Sequence, residues 1–466
     1  MNTPQPTPIN RRRFIATSSA ALAASVVGVR AQSTNTVKLC VAMVGTGVRG
    51  TSMWGKSLLE DYGDALEFVA LSDINPGRLA YAKRYMGVDC KTFTNFDEML
   101  ATVPMDILIV TTVDSTHHEF IVKGLNQGLT VVTEKPMTTD EDKCQQILDA
   151  ERRSKGKVIV AMNYRYGHLF SELKKMLVER QIGSLTSIDF HWYLNTYHGA
   201  SYFRRWHGLR EKGGTLLLHK SAHHFDLLNW FIDSEPVEVS AFGGLEHYGS
   251  ANAFRGENCR SCPHKKNCKF YWDITESQRN VDLYISNEKY DGYIRDNCLF
   301  RHEIDIFDKM AVQIKYANNV QVSYSLTTYS PFEGFRIAFN GMDGRFETWE
   351  GLPWMEQQQE DQAALHAKEM SQNREASLDK YYEIITSMNW GKSEVRKLPH
   401  VRSGHWGGDP IMKDQIFRGK KPERDYGQAA SLRQGAMSVL IGIAARKSID
   451  EKRIVRIDEL TDLKPV

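Results

Sequence analysis

One stretch constrains this chain more than any other. In VKLCVAMVGTGVRG, residues 37–50, an apolar run ends in three glycines spaced G-x-G-x-x-G. A buried strand, that spacing and then a helical pattern form the opening of a parallel α/β unit that grips a dinucleotide. The three glycines serve different ends. Gly45 permits the tight turn, Gly47 lets the backbone approach a pyrophosphate, and Gly50 lets helix and strand pack closely. The rhythm then continues. LEFVALSDIN (66–75), DILIVTT (106–112) and TVVTEKP (130–136) read as strands. GTSMWGKSLLEDYG (50–63), RLAYAKRYMG (78–87), TNFDEMLATV (94–103) and HHEFIVKGLNQG (117–128) read as helices. Such alternation predicts a doubly wound parallel sheet. Asp73 closes the second strand, where a carboxylate hydrogen-bonds the adenosine ribose and repels a 2′-phosphate, favouring NAD over NADP; nearby Arg78 argues the other way.

Ahead of this unit stands NRRRFIATSSAALAASVVGVRAQ, residues 10–32. It has the parts of a secretory leader: Arg11 to Arg13, a mild apolar run from Ala20 to Val29, and a small-residue cleavage site after Ala31. The run is too short to span a bilayer. Asn-Arg-Arg-Arg-Phe-Ile resembles the twin-arginine consensus. Residues 1–31 are therefore expected to be a twin-arginine signal, the mature protein periplasmic, and the twin-arginine export machinery a partner. That route carries folded proteins, so NAD would travel tightly bound inside. Charge sets a further bound. The chain has 59 basic and 57 acidic residues, and removing the leader's four arginines leaves 55 − 57 = −2, so no basic field for nucleic acid exists. The length of 466 residues accommodates two domains.

The ordered set GTGVRG, LSDIN, TTVDSTH, EKP, NYRY and GGTLLLHKSAHHFD resembles the glucose–fructose oxidoreductase/inositol dehydrogenase (Gfo/Idh/MocA) family from Thr36 to the C-terminus. The resemblance implies an NAD-binding Rossmann domain over 36–162. It implies an α+β substrate and oligomerisation domain over 163–466, with an open, mostly antiparallel sheet, and hence a homo-oligomer. It further implies NAD-dependent oxidation of a secondary hydroxyl of a sugar or sugar derivative. Carried over by motif, Lys135 of Glu134-Lys135-Pro136 becomes the first catalytic candidate, since a lysine beside the cofactor's cationic ring can orient the hydroxyl and relay its proton. Pro136 suits a cis bond. Thr112, Asp114, His117, Glu134 and Asn163 fall among the cofactor-binding positions, although Val113 replaces the family's proline.

Gly213, Gly214, His223 and Asp226 match a later family motif, but His219 stands where aspartate is usual and Ser221 where glycine is. His219 and His223 keep an i, i+4 spacing that places both toward one cleft, with His223 as acid/base. His219 cannot lend the missing carboxylate's anionic support. Two explanations stay open. One is an anionic substrate met by His219, Lys220 and Arg204 or Arg205. The other is altered chemistry: redox-neutral, NAD-dependent glycoside hydrolysis through transient oxidation and elimination. A sugar-binding protein without catalysis is a third reading. A metal on His219 and His223 lacks a third ligand. Arg165, Lys220, Asp226 and His405 are expected to meet substrate, His405 arriving in GHWGGD (404–409), where Asp409 also suits a helix cap.

Cys40, Cys90 and Cys144 are scattered, but Cys259, Cys262, Cys268 and Cys298 cluster in an insertion near 250–300. C-x2-C-x5-C with a distant fourth cysteine suits zinc or an iron–sulfur cluster, and disulfides equally suit an exported chain. VQIKYANNVQVSYSLTTYS (312–330) and FRIAFNGMDGRFETWE (335–350) read as hairpins, and 357–373 as a polar surface insertion.

Overall fold

The computed structural model describes residues 38–351, 381–401 and 405–466. The expected leader, the polar stretch 357–373 and Gly404 lie outside the described residues. Among the described residues no helix is long and apolar enough to cross a membrane.

The apolar runs form the strands they predict, β1 (Leu39–Val44), β2 (Leu66–Ser72), β4 (Ile107–Val110) and β5 (Thr130–Thr133), and KVIV before the NYRY motif adds β6 (Lys157–Val160). A three-residue strand, β3 (Lys91–Phe93), falls in what reads in the sequence as connection, too short to carry a periodic signal. The sheet is parallel throughout, in the order β3-β2-β1-β4-β5-β6. Its order reverses between β1 and β4, so the crevice beyond their C-terminal ends is where this topology seats ligands. Local chemistry sets the helix ends. Asn75 caps the helix Pro76–Met86 by accepting from Arg78 N, and Gly87 ends it at φ 71°. The first helix departs from expectation: Gly50–Lys56 is a π-helix, and only Ser57–Tyr62 is α-helical.

The second sheet has nine strands: β7 (Leu185–Asn195), β8 (Pro236–Gly244), β9 (Lys309–Tyr316), β10 (Gln321–Ser330), β11 (Gly334–Gly341), β12 (Gly344–Glu350), β13 (Tyr381–Met388), β14 (Ser393–Pro399) and β15 (Val455–Arg456). Their order is β14-β13-β12-β11-β7-β10-β9-β8-β15. Among the described residues of this sheet only β7 and β10 run parallel, which is the open, mostly antiparallel sheet expected. Strict alternation of burial along β9 shows one face packed and one outward. Helices Ser221–Ile232 and Leu432–Glu451 cover the packed face. The second of these packs against both β6 and β8, and its glycines let it approach its neighbours closely. A Cβ on Gly435 would lie 2.7 Å from Val160, and one on Gly442 2.5 Å from the Leu217 carbonyl oxygen.

Between β8 and β9 runs the cysteine-bearing insertion. An antiparallel bridge between Asn258 and Asn297 closes its base, with Cys259 N donating to Asp296 O (2.8 Å) and Cys298 N to Glu257 O (2.9 Å). The buried Asp296 carboxylate takes Arg260, which also reaches Glu288. The four cysteines line one small cavity together with Arg204, whose Nη1 stands 2.9 Å from Cys259 Sγ. Every thiol is free, and among the described residues no three Cys, His, Asp or Glu side chains stand where a metal ion could be held. The metal and disulfide expectations for Cys259, Cys262, Cys268 and Cys298 are therefore not met. Hydrogen bonds and aromatic packing hold the insertion instead, Phe270 and Phe300 meeting at 5.8 Å.

Candidate active site

The glycine loop is shaped by contact. Gly45 has φ +92°, and a Cβ there would lie 2.6 Å from the Thr111 carbonyl carbon; one on Gly50 would lie 2.3 Å from Gly45 O. The nearest atom to a Cβ on Gly47 is the Tyr284 hydroxyl at 3.7 Å, so this glycine leaves room over the loop, as close approach of a pyrophosphate requires. Asp73 braces the loop. Its Oδ2 accepts from Thr46 N (2.7 Å) and Thr46 Oγ1 (3.0 Å), and its Oδ1 from Asn75 N (2.9 Å) and Arg78 Nη2 (3.0 Å). Arg78 is paired a second time, with Asp291 at 2.5 Å. These residues fit a dinucleotide whose adenosine end carries no extra phosphate, because Arg78 is bracketed by two carboxylates.

Beyond β5, Glu134 turns inward and accepts from Arg49 Nε (2.6 Å) and Trp54 Nε1 (2.7 Å). Burial raises its pKa, but Arg49 and Lys135 outweigh this and hold it below the usual carboxylate range. Glu134 thus ties the first helix to the turn that presents Lys135. The Lys135–Pro136 peptide is cis. His117 closes this turn rather than lining the cofactor's path as expected. It is buried, with Nδ1 2.8 Å from Pro136 O and Nε2 3.1 Å from Thr112 O, so both nitrogens are spent on the backbone. Thr112 Oγ1 accepts from Thr116 Oγ1 at 2.9 Å.

Lys135 Nζ donates to His219 O at 2.8 Å and makes no ion pair among the described residues. Burial pushes its pKa down to about 8, with Asp114 and Glu134 resisting. His219 finds a carboxyl partner that no local motif announces: its Nδ1 lies 2.6 Å from Asp114 Oδ2, just beyond the end of β4. Burial pushes Asp114 up, and burial with Lys135, Arg205 and Lys220 pushes His219 down. Burial thus favours the uncharged imidazole of His219. Its Nε2 makes no hydrogen bond among the described residues, and the side chain keeps 14% exposure, so Nε2 is the free basic atom.

His223 follows one turn later, but helix Leu216–His219 and helix Ser221–Ile232 are separate segments divided at Lys220. The His223 ring stacks on Tyr164 at 4.0 Å, and its Nδ1 is buried without a partner. Burial and Lys135 hold it neutral. Lys220 is 7% exposed, with Nζ 3.3 Å from Tyr164 Oη and 4.8 Å from the Trp192 ring. It makes no ion pair among the described residues, leaving a buried cation held by aromatic faces. Asn163 donates to Asp409 Oδ1 (2.6 Å), and His405 Nδ1 stands 2.9 Å from Asp409 Oδ2, forming a second histidine–carboxylate pair. Its loop is tight: His405, Trp406 and Gly407 all have positive φ (52°, 57°, 82°). The His405 ring comes within 6.1 Å of His223.

Two expected substrate contacts lie elsewhere. Arg165 and Asp226 have side-chain exposures of 0% and 1% and pair bidentately, Nε to Oδ2 at 2.7 Å and Nη2 to Oδ1 at 2.6 Å. Their positions in two family-like motifs point to substrate; packing makes them an interior clamp. A further group has no signal in the sequence. Glu333, its side chain 9% exposed near Lys220, faces His198 Nδ1 (3.1 Å), and His198 Nε2 reaches Tyr202 Oη (3.1 Å). Burial lifts Glu333 to about 7 against the pull of Lys220.

Comparison with known proteins agrees with this fold. The family model described as the oxidoreductase family's NAD-binding Rossmann fold matches residues 39–162, and that described as its C-terminal alpha/beta domain matches residues 174–457. YteT of Bacillus subtilis, an oxidoreductase by name, is 34% identical over 448 residues, covering 91% of this chain and 99% of that protein. Inositol 2-dehydrogenase of Serratia proteamaculans is 23% identical over 244 residues, 51% of this chain and 66% of that protein. Among solved structures, a levoglucosan dehydrogenase in complex with NADH and L-sorbose shares the fold with a TM-score of 0.63 at 14% identity, covering 90% of this chain and 99% of that one.

Proposed function

The chain belongs to the Gfo/Idh/MocA oxidoreductase family, and from that premise we propose that it oxidises a secondary hydroxyl of a sugar, polyol or sugar acid with NAD. The observation that carries this reading is the placement of Lys135 and the His219–Asp114 pair together at the C-terminal edge of the parallel sheet, beside a glycine loop built for a dinucleotide. NAD, when bound, supplies the hydride acceptor. Lys135, half neutral near pH 8, takes the hydroxyl proton. Asp114 keeps His219 in the tautomer whose Nε2 accepts, so the proton has a second acceptor close by. Lys220, which makes no ion pair among the described residues although Glu333 lies near it, supplies positive charge that favours a substrate bearing an anionic group. Relatives named for inositol and levoglucosan support the carbohydrate class. The bracketing of Arg78 by Asp73 and Asp291 favours NAD over NADP.

One further arrangement favours a second reading. The His405–Asp409 pair and His223 give the site a second base near Tyr164, and redox-neutral glycoside cleavage needs one group for the hydroxyl proton and another for the acidified C–H. Export of the folded, NAD-loaded protein by the twin-arginine route, on the strength of Asn10 to Ile15, belongs to the same proposal, as does assembly into a homo-oligomer.

The deciding experiment uses protein purified without added cofactor. Nucleotide released on denaturation is identified by mass spectrometry, and native protein is mixed with polyols, uronates and aryl glycosides while NADH absorbance and aglycone release are followed together. Lasting reduction of bound NAD by a polyol or uronate is the expected result. Aglycone release with no lasting NADH would establish the hydrolytic reading, and protein that binds no NAD would overturn both. Within either chemistry, Asp114→Asn should lower kcat by about 10²-fold or more with NAD content unchanged, because the amide no longer selects the basic tautomer of His219. Steady-state rates normalised to bound NAD check this.

A further inference from the structure

The cysteine-bearing insertion does more than decorate the second domain: its distal part returns to the dinucleotide loop. Tyr284 Oη accepts from Val48 N at 3.0 Å, on the loop that faces the pyrophosphate. Asn287 O accepts from Asn75 Nδ2 at 2.9 Å, and Asp291 pairs with Arg78 at 2.5 Å, both beside the adenosine-end carboxylate Asp73. Gly77 is glycine for the same reason, since a Cβ there would lie 1.8 Å from Asn287 Oδ1. Leu283 and Tyr284 bury against Tyr81 as a small separate core. The segment is therefore seated by apolar packing, two hydrogen bonds and an ion pair along the length a dinucleotide's adenosine and pyrophosphate would cover.

Charge points to what it meets there. Arg295, at the end of this segment, lies over the Tyr284 ring at 4.3 Å, and its Nε is buried without a hydrogen-bond partner. Arg205 is near enough for the two guanidinium groups to repel, and burial together with Arg295 pulls the Arg205 pKa down. Neither arginine makes an ion pair among the described residues. Two half-buried cations that repel each other, neither held in an ion pair, favour an anion between them. Tyr284 adds a donor, because its oxygen accepts from Val48 while its own proton stays available for a phosphate oxygen.

We propose that residues 274–295 form a clasp over the dinucleotide, with Tyr284 and Arg295 as the outer wall of its pyrophosphate site, so that the cofactor stays bound from one turnover to the next, the bound NADH returning its hydride and a proton to a carbonyl compound admitted to the same site. The proposal rests on the NAD-dependent reading above. It adds to that reading a cofactor that is not exchanged, which is the property an enzyme needs where free NAD is scarce.

The test measures how fast NAD leaves the NAD-loaded full-length protein, using an NAD-destroying glycohydrolase as a trap. Wild-type protein should keep its NAD through desalting. Arg295→Met and Asp291→Asn should each release it about tenfold faster or more, as loss of a charge-assisted contact predicts. Tyr284→Phe should do so by several-fold, and raised salt should speed release from wild type more than from Arg295→Met. Thermal melts of the apo forms identify variants that fold, and Asp291→Asn and Tyr284→Phe are mild enough to serve if Arg295→Met does not. Folded variants that release NAD at the wild-type rate would overturn the clasp. So would wild-type protein that binds NAD but empties within the mixing time, and in that case NAD dependence would stand. A protein that binds no NAD at all would remove both.

Discussion

Lys135→Met is expected to lower kcat/KM for substrate oxidation by about 10³-fold while bound NAD remains at the wild-type level. The amine touches no carboxylate, its one hydrogen bond is to the His219 carbonyl, and burial brings its pKa to about 8. A buried amine with that pKa is a proton acceptor suited to a secondary alcohol. The sign of the pH dependence follows. Below about pH 8 the lysine is mostly protonated and cannot accept, so oxidation should rise with pH and level off above that point. Lys135→Met should lose this limb, and Lys135→Arg should rescue little, because a guanidinium stays charged throughout the range. Steady-state kinetics from pH 6 to 10 with cofactor content measured in parallel check the set. A rising limb that survives in Lys135→Met would place the titration on His219 and Asp114 instead.

Asp226→Ala is expected to destabilise the protein by about 3–5 kcal/mol, because it strands the Arg165 guanidinium in the interior. Besides its two bonds to Asp226, Arg165 donates to Gly427 O and Gln434 Oε1, each at 3.2 Å, so the pair joins the turn after β6 to the helix Ser221–Ile232 and the C-terminal helix. Arg165→Met should be costly in the same direction. The double replacement Arg165→Met with Asp226→Leu should recover most of the loss, since an apolar pair of similar volume often equals a buried ion pair. Urea denaturation compared across the four proteins measures this. If Asp226→Ala instead left stability unchanged and raised KM, the residue would belong to the substrate site.

How far each element is legible in the sequence follows from the range of the forces that set it. The parallel sheet and its glycine loop are legible because a buried strand, a tight turn and a capped helix are determined within about a dozen residues; β1, Gly45 and Asp73 all stand where the pattern places them. The turn at Lys135 is legible as a motif for the same reason. Arg165 and Asp226 mislead because a charged residue near a site looks the same in sequence whether it faces solvent or a buried partner. Glu333 escapes notice because a lone glutamate between strands has no pattern to mark it.

What the sequence determined by itself was the architecture: an alternating α/β unit for NAD, a second unit of mostly antiparallel strands, and the lysine that stands at the end of β5. Tertiary structure alone decided the partners. Asp114 meets His219 across 105 residues, Arg165 meets Asp226 across 61, and Tyr284 reaches back 236 residues to the amide of Val48. The reason is physical. Periodicity and turn chemistry act along the chain and leave a trace in it, whereas a proton shared by two side chains depends on which surfaces pack together, and that is decided only when the two sheets and the insertion close on one another.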